Sequence, residues 1–338
     1  MILRSIFVLW VTCFALPVFA LDPSQIGQNV VSDWEAWMKK HKIRQGALVV
    51  SFEGNVVAKG EVGRSVNEPS KVASLSKAIT AVCALKALES CGLHYRATVA
   101  EVLPDALAQH APSDARFRDI TMGHLMTHAS GITSRYHANQ LEKLRTFGKE
   151  NKLWQFSKLV QEKLKAPPGS ASYNYSNANY LTLGLAIEAL TGEEYEPYCQ
   201  REIFAPLGIK SAKLNDTWRV MSSWGGWEIS ATDFLTFANH YFAGENTPAR
   251  PAGIAGPMTS TTNGASYGAG ILFRRTGIGT NTWHLGSWRW KGRITDRFGA
   301  YFALYDNGFS VSTNYAHDAW EREINGALDA LLWKATHP

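Results

Sequence analysis

Ser74-Leu75-Ser76-Lys77 joins a hydroxyl and an amine at the spacing of one helical turn, and it is the only Ser-x-x-Lys in the chain. Residues three apart share a helix face, so Lys77 can reach the Ser74 hydroxyl while Ser76 points elsewhere. A serine hydroxyl is a weak nucleophile at neutral pH and needs a base, and a lysine desolvated in a cleft can lose enough basicity to serve. A helix N-terminus adds N–H groups that favour a developing oxyanion. Alone, the pattern fits an N-terminal cap beside a solvated charge more readily, because two fixed residues recur easily. Tyr175-Ser176-Asn177 is a second candidate: a phenol beside a serine can relay its proton, and a carboxamide can hold both Lys77 and a substrate amide. The competing reading is a loop tyrosine with Asn177 capping the next helix. Tyr305-Asp306-Asn307 repeats Tyr-x-Asn inside a hairpin turn. Trp283-His284-Leu285-Gly286-Ser287 lies in a strand run, where His284 faces a cleft or is structural and Gly286 admits a close backbone.

The elements that must position these residues follow from hydrophobic period. Val30, Val31, Trp34, Trp37 and Met38 predict an amphipathic helix over about Ser24 to His41. Ala47 to Phe52 and Asn55 to Lys59 read as a hairpin around Glu53-Gly54. Helical patterns follow at about Ser74 to Ser90, Ile120 to Thr127, Lys152 to Leu164, Asn177 to Leu190 and Thr232 to Phe242. Strands return over Tyr267 to Phe273, Thr282 to Trp290, Phe298 to Tyr305 and Phe309 to Asn314, and a helix over about Ala316 to Trp333 closes the chain. Strands at both ends around helices imply an α+β fold: one antiparallel sheet built from both chain ends and flanked by helices, with an inserted all-helical lobe and a cleft between. The expected parts are a signal peptide at 1–20, α/β segments at 21–62 and 262–338, and the helical lobe with the nucleophile helix at 63–261.

The 338 residues are 45% hydrophobic and 19% charged, which supports a packed core and excludes a largely disordered chain. A formal charge of +5 without a long basic block argues against nucleic acid. Arg4, the apolar run Ile6 to Leu16, Pro17 and a small-residue site ending at Ala20 read as a leader for export, too short to span a bilayer, so no stable membrane insertion is expected after cleavage. Of the cysteines after that leader, Cys83 and Cys91 lie about 12 Å apart along a helix, beyond disulfide reach. A bridge would have to use Cys199, and Cys83 reads as buried and structural. His124 and His128 stand four apart without the glutamate of a zinc-binding His-Glu-x-x-His pattern, so no metal is assigned.

In their order and spacing these elements resemble the serine β-lactamase-like hydrolases, in the branch of class C β-lactamases, D-Ala-D-Ala carboxypeptidases, D-aminopeptidases and related esterases. That branch carries Ser-x-x-Lys, then Tyr-x-Asn, then Lys or His-x-Gly, matched by Ser74/Lys77, Tyr175/Asn177 and His284/Gly286. Gly123-His124-Leu125-Met126-Thr127-His128-Ala129-Ser130-Gly131 is similar to its His-Leu-Leu-Thr-His-Thr-Ser-Gly stretch, and Gly225-Gly226, Ser230 to Asp233 and the closing hairpin and helix extend the likeness. The resemblance implies a β-lactamase/transpeptidase-like fold, no cofactor, and a small-molecule or peptide substrate. It implies that Ser74 is acylated, Lys77 and Tyr175 share proton transfer, Asn177 orients the substrate, and the Ser74 and Ser287 N–H groups form an oxyanion hole. It also makes His124 and His128 structural. His284 replaces the usual lysine of class C enzymes and Leu285 a usual threonine or serine. These departures weaken carboxylate binding, leave Arg289, Lys291 or Arg293 as substitutes, and favour an esterase or peptidase over a true β-lactamase. Trp283, Trp288 and Trp290 are candidate walls of an acyl pocket, and Trp224-Gly225-Gly226 reads as a connecting loop. The expected activity is an exported serine hydrolase working through an acyl-enzyme on an ester, amide, peptide or lactam bond; the alternative is a catalytically silent domain that binds or senses cell-wall fragments.

Overall fold

The computed structural model describes residues 22–133, 151–170, 173–246, 250–254, 256–261, 263–277, 279–289, 297–316 and 321–337. The proposed leader, together with Trp290, Lys291 and Arg293, lies outside the described residues, as does the Arg289 side chain. The main helices are α1 (Pro23–Lys40), α2 (Ser76–Ser90), α3 (Met122–Met126), α4 (Lys152–Leu159), α5 (Asn177–Thr191), α6 (Ala231–Phe242) and α7 (Glu321–Thr336). The strands are β1 (Gln45–Phe52), β2 (Asn55–Val62), β3 (Ser70–Lys71), β4 (Lys213–Leu214), β5 (Trp227–Ile229), β6 (Thr259–Ser260), β7 (Ser266–Gly268), β8 (Ile271–Arg275), β9 (Thr280–Arg289), β10 (Arg297–Leu304) and β11 (Phe309–Ala316).

An eight-stranded sheet in the order β2-β1-β11-β10-β9-β8-β7-β6 joins both chain ends, because β1 pairs antiparallel with β11, Gln45 opposite Ala316. This is the α+β architecture that the alternation of strands and helices predicts. Helices α1 and α7 cover one face and α6 the other. A small sheet, β3-β5-β4, sits beside α2 and ties the nucleophile region to the middle of the chain.

Strand β1 is buried on both sides over Gly46 to Ser51, which explains its continuous apolar run. Helix α2 is buried nearly all round and packs against α5, so its Ala, Val and Leu residues show no single apolar stripe.

Three expectations need correction. The run Tyr267 to Phe273 is two strands: Ala269 and Gly270, at φ 45° and 85°, reverse the chain between β7 and β8. The closing helix begins at Glu321 rather than Ala316, whose backbone still pairs in β11, and Trp320 lies outside the described residues. Cys83 is buried as expected, but it is oxidised: a disulfide links it to Cys199 across 116 residues, with the Cα atoms 5.7 Å apart. Cys91 is an exposed thiol.

Candidate active site

The chain approaches Ser74 through a turn that a sequence does not advertise. Ala73 adopts φ 46°, in the left-handed region that residues with a Cβ avoid. Ser74 consequently lies in a 3-10 turn, Ala73–Leu75, and α2 proper begins only at Ser76. In that tighter winding residues three apart eclipse, which brings Lys77 over Ser74. The turn is pinned by β5: the Val72 N–H donates to the Trp227 carbonyl and the Trp227 N–H to Ser76 Oγ, at 3.1 and 3.2 Å. Ser76 is thus engaged behind the site, and Ser74 caps no helix.

Lys77 Nζ lies 3.1 Å from Ser74 Oγ and donates to the Trp224 carbonyl at 2.8 Å. Lys77 is 0% exposed, and burial holds its amine well below the usual lysine pKa. Desolvation thus works against the charged form of an amine that stands beside the serine hydroxyl. Trp224 had read as part of a connecting loop. It sits instead on a short helical turn, Ser222–Gly225, and its carbonyl orients the lysine. Thr80 supports that turn through the Ser223 carbonyl and Tyr195 Oη, both at 2.6 Å.

Tyr175 reaches the same place from the segment before α5: Lys77 Nζ stands 4.9 Å from its ring centroid. Ser176, not Asn177, occupies the N-cap position of α5, and Asn177 Oδ1 is buried without a hydrogen-bond partner. The amide oxygen is therefore unspent by the fold.

Strand β9 supplies the opposite wall. It pairs with β8 only as far as Trp283, so the edge carrying His284 to Ser287 faces the Ser74 turn. Gly286 is required there: a Cβ would stand 2.1 Å from the Val72 carbonyl oxygen and 3.1 Å from Ser74 N. Gly270 similarly lets the β7-β8 turn rest on the Lys77 carbonyl, which a Cβ would approach to 2.4 Å. His284 is buried, its ring centroid 6.3 Å from that of Tyr175. Its Nδ1 lies 2.6 Å from the Leu285 carbonyl and its Nε2 3.1 Å from Tyr267 Oη. Burial, then the proximity of Lys77, push its pKa down to about 3, against the opposing Leu285 carbonyl. Nδ1 donates to that carbonyl, which leaves Nε2 of the neutral ring as an acceptor beside the Tyr267 hydroxyl, whose single proton is directed at the Gly270 carbonyl 2.9 Å away.

Ser74, Lys77, Tyr175, His284 and Gly286 thus converge from three distant stretches, with Asn177 and Ser287 beside them in the chain. Strand alternation separates the tryptophans. Trp288 packs with Trp218 and Trp224 on the site's side, whereas Trp283 joins the apolar layer under the terminal helices, so it cannot wall an acyl pocket. Tyr305 of the second Tyr-x-Asn belongs to that distal layer too. His124 and His128 serve different partners: His124 Nδ1 accepts the Thr121 N–H and His128 Nδ1 the Ser176 N–H.

The family model described as Beta-lactamase matches residues 32–332. The chain belongs to the Beta-lactamase family. It is 32% identical over 221 residues to monacolin J acid methylbutanoyltransferase of Aspergillus terreus, covering 56% of this chain and 52% of that protein. It is 25% identical over 185 residues to penicillin-binding protein 4 of Amycolatopsis lactamdurans, covering 52% of this chain and 46% of that one. The chain spans about half the length of these curated relatives. Among solved structures, a class C β-lactamase superimposes with a TM-score of 0.71 at 15% identity, over 93% of this chain and 97% of that one, a likeness of fold. The Beta-lactamase family assignment and these relatives support a serine acyl-enzyme hydrolase or acyltransferase activity in general.

Proposed function

We propose that this Beta-lactamase family member is an exported enzyme that forms an acyl-enzyme at Ser74 from an uncharged ester or amide and passes the acyl group to water or to an alcohol, with peptidase or esterase turnover exceeding β-lactam turnover. The observation that carries the reading is the wholly buried Lys77 amine 3.1 Å from Ser74 Oγ. Neutral Lys77, with Tyr175, takes the Ser74 proton as Oγ attacks the carbonyl carbon. The resulting oxyanion accepts hydrogen bonds from the Ser74 and Ser287 N–H groups. The proton passes to the leaving group as the scissile bond breaks, and an acyl ester on Ser74 remains. Water or an alcohol then attacks that ester, and its proton returns through the same groups to Ser74.

The preference for an uncharged substrate rests on His284. Its Nδ1 is committed to the Leu285 carbonyl, and its low pKa leaves no cation there for a substrate carboxylate. Leu285 stands opposite Tyr301 of the distal layer, so its side chain points away from the site and adds nothing polar to it. Export is supported by the leader pattern and by the Cys83–Cys199 disulfide, since such bonds persist in oxidising compartments. No helix among the described residues is long and apolar enough to cross a membrane.

Intact-mass measurement after separate incubation with penicillin, a D-Ala-D-Ala peptide and short-chain activated esters tests this reading. The expected result is a transient acyl adduct and turnover with the esters, at most a slow adduct with penicillin or the D-Ala-D-Ala peptide, both of which carry a carboxylate, and no adduct on Ser74→Ala. Undiminished labelling of that variant overturns the mechanism, and rapid penicillin turnover overturns the substrate preference.

A further inference from the structure

His128 is held in an unusual way. Its backbone adopts φ 59°, and the residue grips the segment before α5 at two points. Its carbonyl accepts the Asn174 N–H at 2.9 Å, and its ring Nδ1 accepts the Ser176 N–H at 3.2 Å. Those two N–H groups flank Tyr175. Between them the Tyr175 ring lies against the imidazole, with centroids 4.3 Å apart and planes at 42°.

The ring's tautomer follows from its partners. The Ser130 hydroxyl donates to Asn179 Oδ1 at 2.6 Å, which turns the Asn179 amino group toward His128 Nδ1, 2.9 Å away. Two N–H donors converge on Nδ1, so it bears no proton, and the proton of the neutral ring is on Nε2. Nε2 is buried without a hydrogen-bond partner, and the rings of Tyr173, Tyr180 and Tyr267 surround the imidazole at 5.8, 5.3 and 4.8 Å. Burial, then Lys77 and His284, keep the ring uncharged.

We propose that His128 is a positioning residue for Tyr175: its carbonyl and Nδ1 clamp the chain on both sides of that tyrosine, and its ring face sets the phenol's angle toward Lys77. A phenol that shares a proton between an amine and a hydroxyl must hold its oxygen to within about 0.5 Å, and Tyr175 stands in a segment outside any helix or strand, where the backbone alone does not impose that. The inference rests on Tyr175 acting in proton transfer as proposed above.

Two substitutions separate the clamp from mere bulk. His128→Phe keeps a ring against Tyr175 but removes the acceptor, whereas His128→Asn restores an acceptor near Nδ1. The expected result is kcat on an activated ester about 10²-fold lower in His128→Phe with KM little changed, and recovery to within about fivefold of wild type in His128→Asn. Combining His128→Phe with Tyr175→Phe is expected to slow the enzyme no further than Tyr175→Phe alone. Wild-type kcat in His128→Phe, equal loss in both histidine variants, or multiplied losses in the double variant would each overturn the proposal. Full activity in Tyr175→Phe would instead remove the underlying role of the tyrosine. Should His128→Phe not fold, nitrogen-15 NMR of the wild-type protein decides: a neutral ring protonated at Nε2 is expected, and a proton on Nδ1 at neutral pH overturns the clamp.

Discussion

The two faces of the eight-stranded sheet are buried to similar depth and for opposite ends. Under α1 and α7, Trp34, Trp37, Leu48, Val50, Tyr301, Val311, Tyr315, Leu328 and Leu332 form an apolar layer. Trp34 is fitted to it closely, since a Cβ on Gly60 or Gly46 would strike its ring at 3.0 or 3.2 Å. On the other face the fold buries Lys77, His128, His284, Ser76 and Thr80 among its hydrophobic side chains. Burying such groups costs free energy unless their hydrogen bonds are replaced. The distal layer therefore stabilises the molecule, and the other side holds reactive groups in states that water would not favour.

Lys77→Met makes the sharpest break in that contrast. Turnover is expected to fall by about 10³-fold or more, while thermal stability at neutral pH rises, because an amine that folding forces toward neutrality is gone. The sign follows from linkage: with a lowered folded pKa, the unfolded chain binds more protons than the native one, so stability rises with pH between the folded value and about 10.4. Urea denaturation at several pH values should show this slope in the wild type and lose it in the variant. An unchanged pH dependence would mean that the lysine stays charged in the fold.

Trp34→Ala is the converse on the distal face. It should lower stability by about 3–5 kcal/mol, read as a shifted denaturation midpoint, with kcat of the folded enzyme unaltered; a large kcat loss would show that the two faces are coupled. Gly286→Ala should cost about 10²-fold in kcat/KM and also lower the melting temperature, because the new Cβ pushes β9 from the Ser74 turn. Activity near wild type would show that the strand edge need not approach so closely. The smallest effect is expected from Thr80→Val, about tenfold in kcat, since it loosens the Ser223 carbonyl beside the residue that holds Lys77. Steady-state kinetics on the folded variant would expose an error if kcat did not move.

The legible part of the site has a common character. Ser74 with Lys77, and Tyr175 with Asn177, are side chains whose relation is set over three residues or fewer, where local geometry dominates. The sheet built from both ends was legible because strand and helix periods differ. Trp224 was missed as a functional residue because its contribution is a carbonyl, which every residue possesses. Trp283 was misplaced because a position five residues before Trp288 on a strand must face the other way, and adjacency to His284 concealed that alternation.

From the linear chain alone came the chemical types, their order and the elements that carry them, all consequences of interactions between near neighbours. The folded molecule alone decided that Ala73 and His128 take left-handed backbones, that Lys77 is stripped of water, and that the edge of β9 meets the Ser74 turn. Each of these depends on atoms from segments far apart in the sequence packing into one volume, where desolvation and steric exclusion act on distance in space and take no account of distance along the chain.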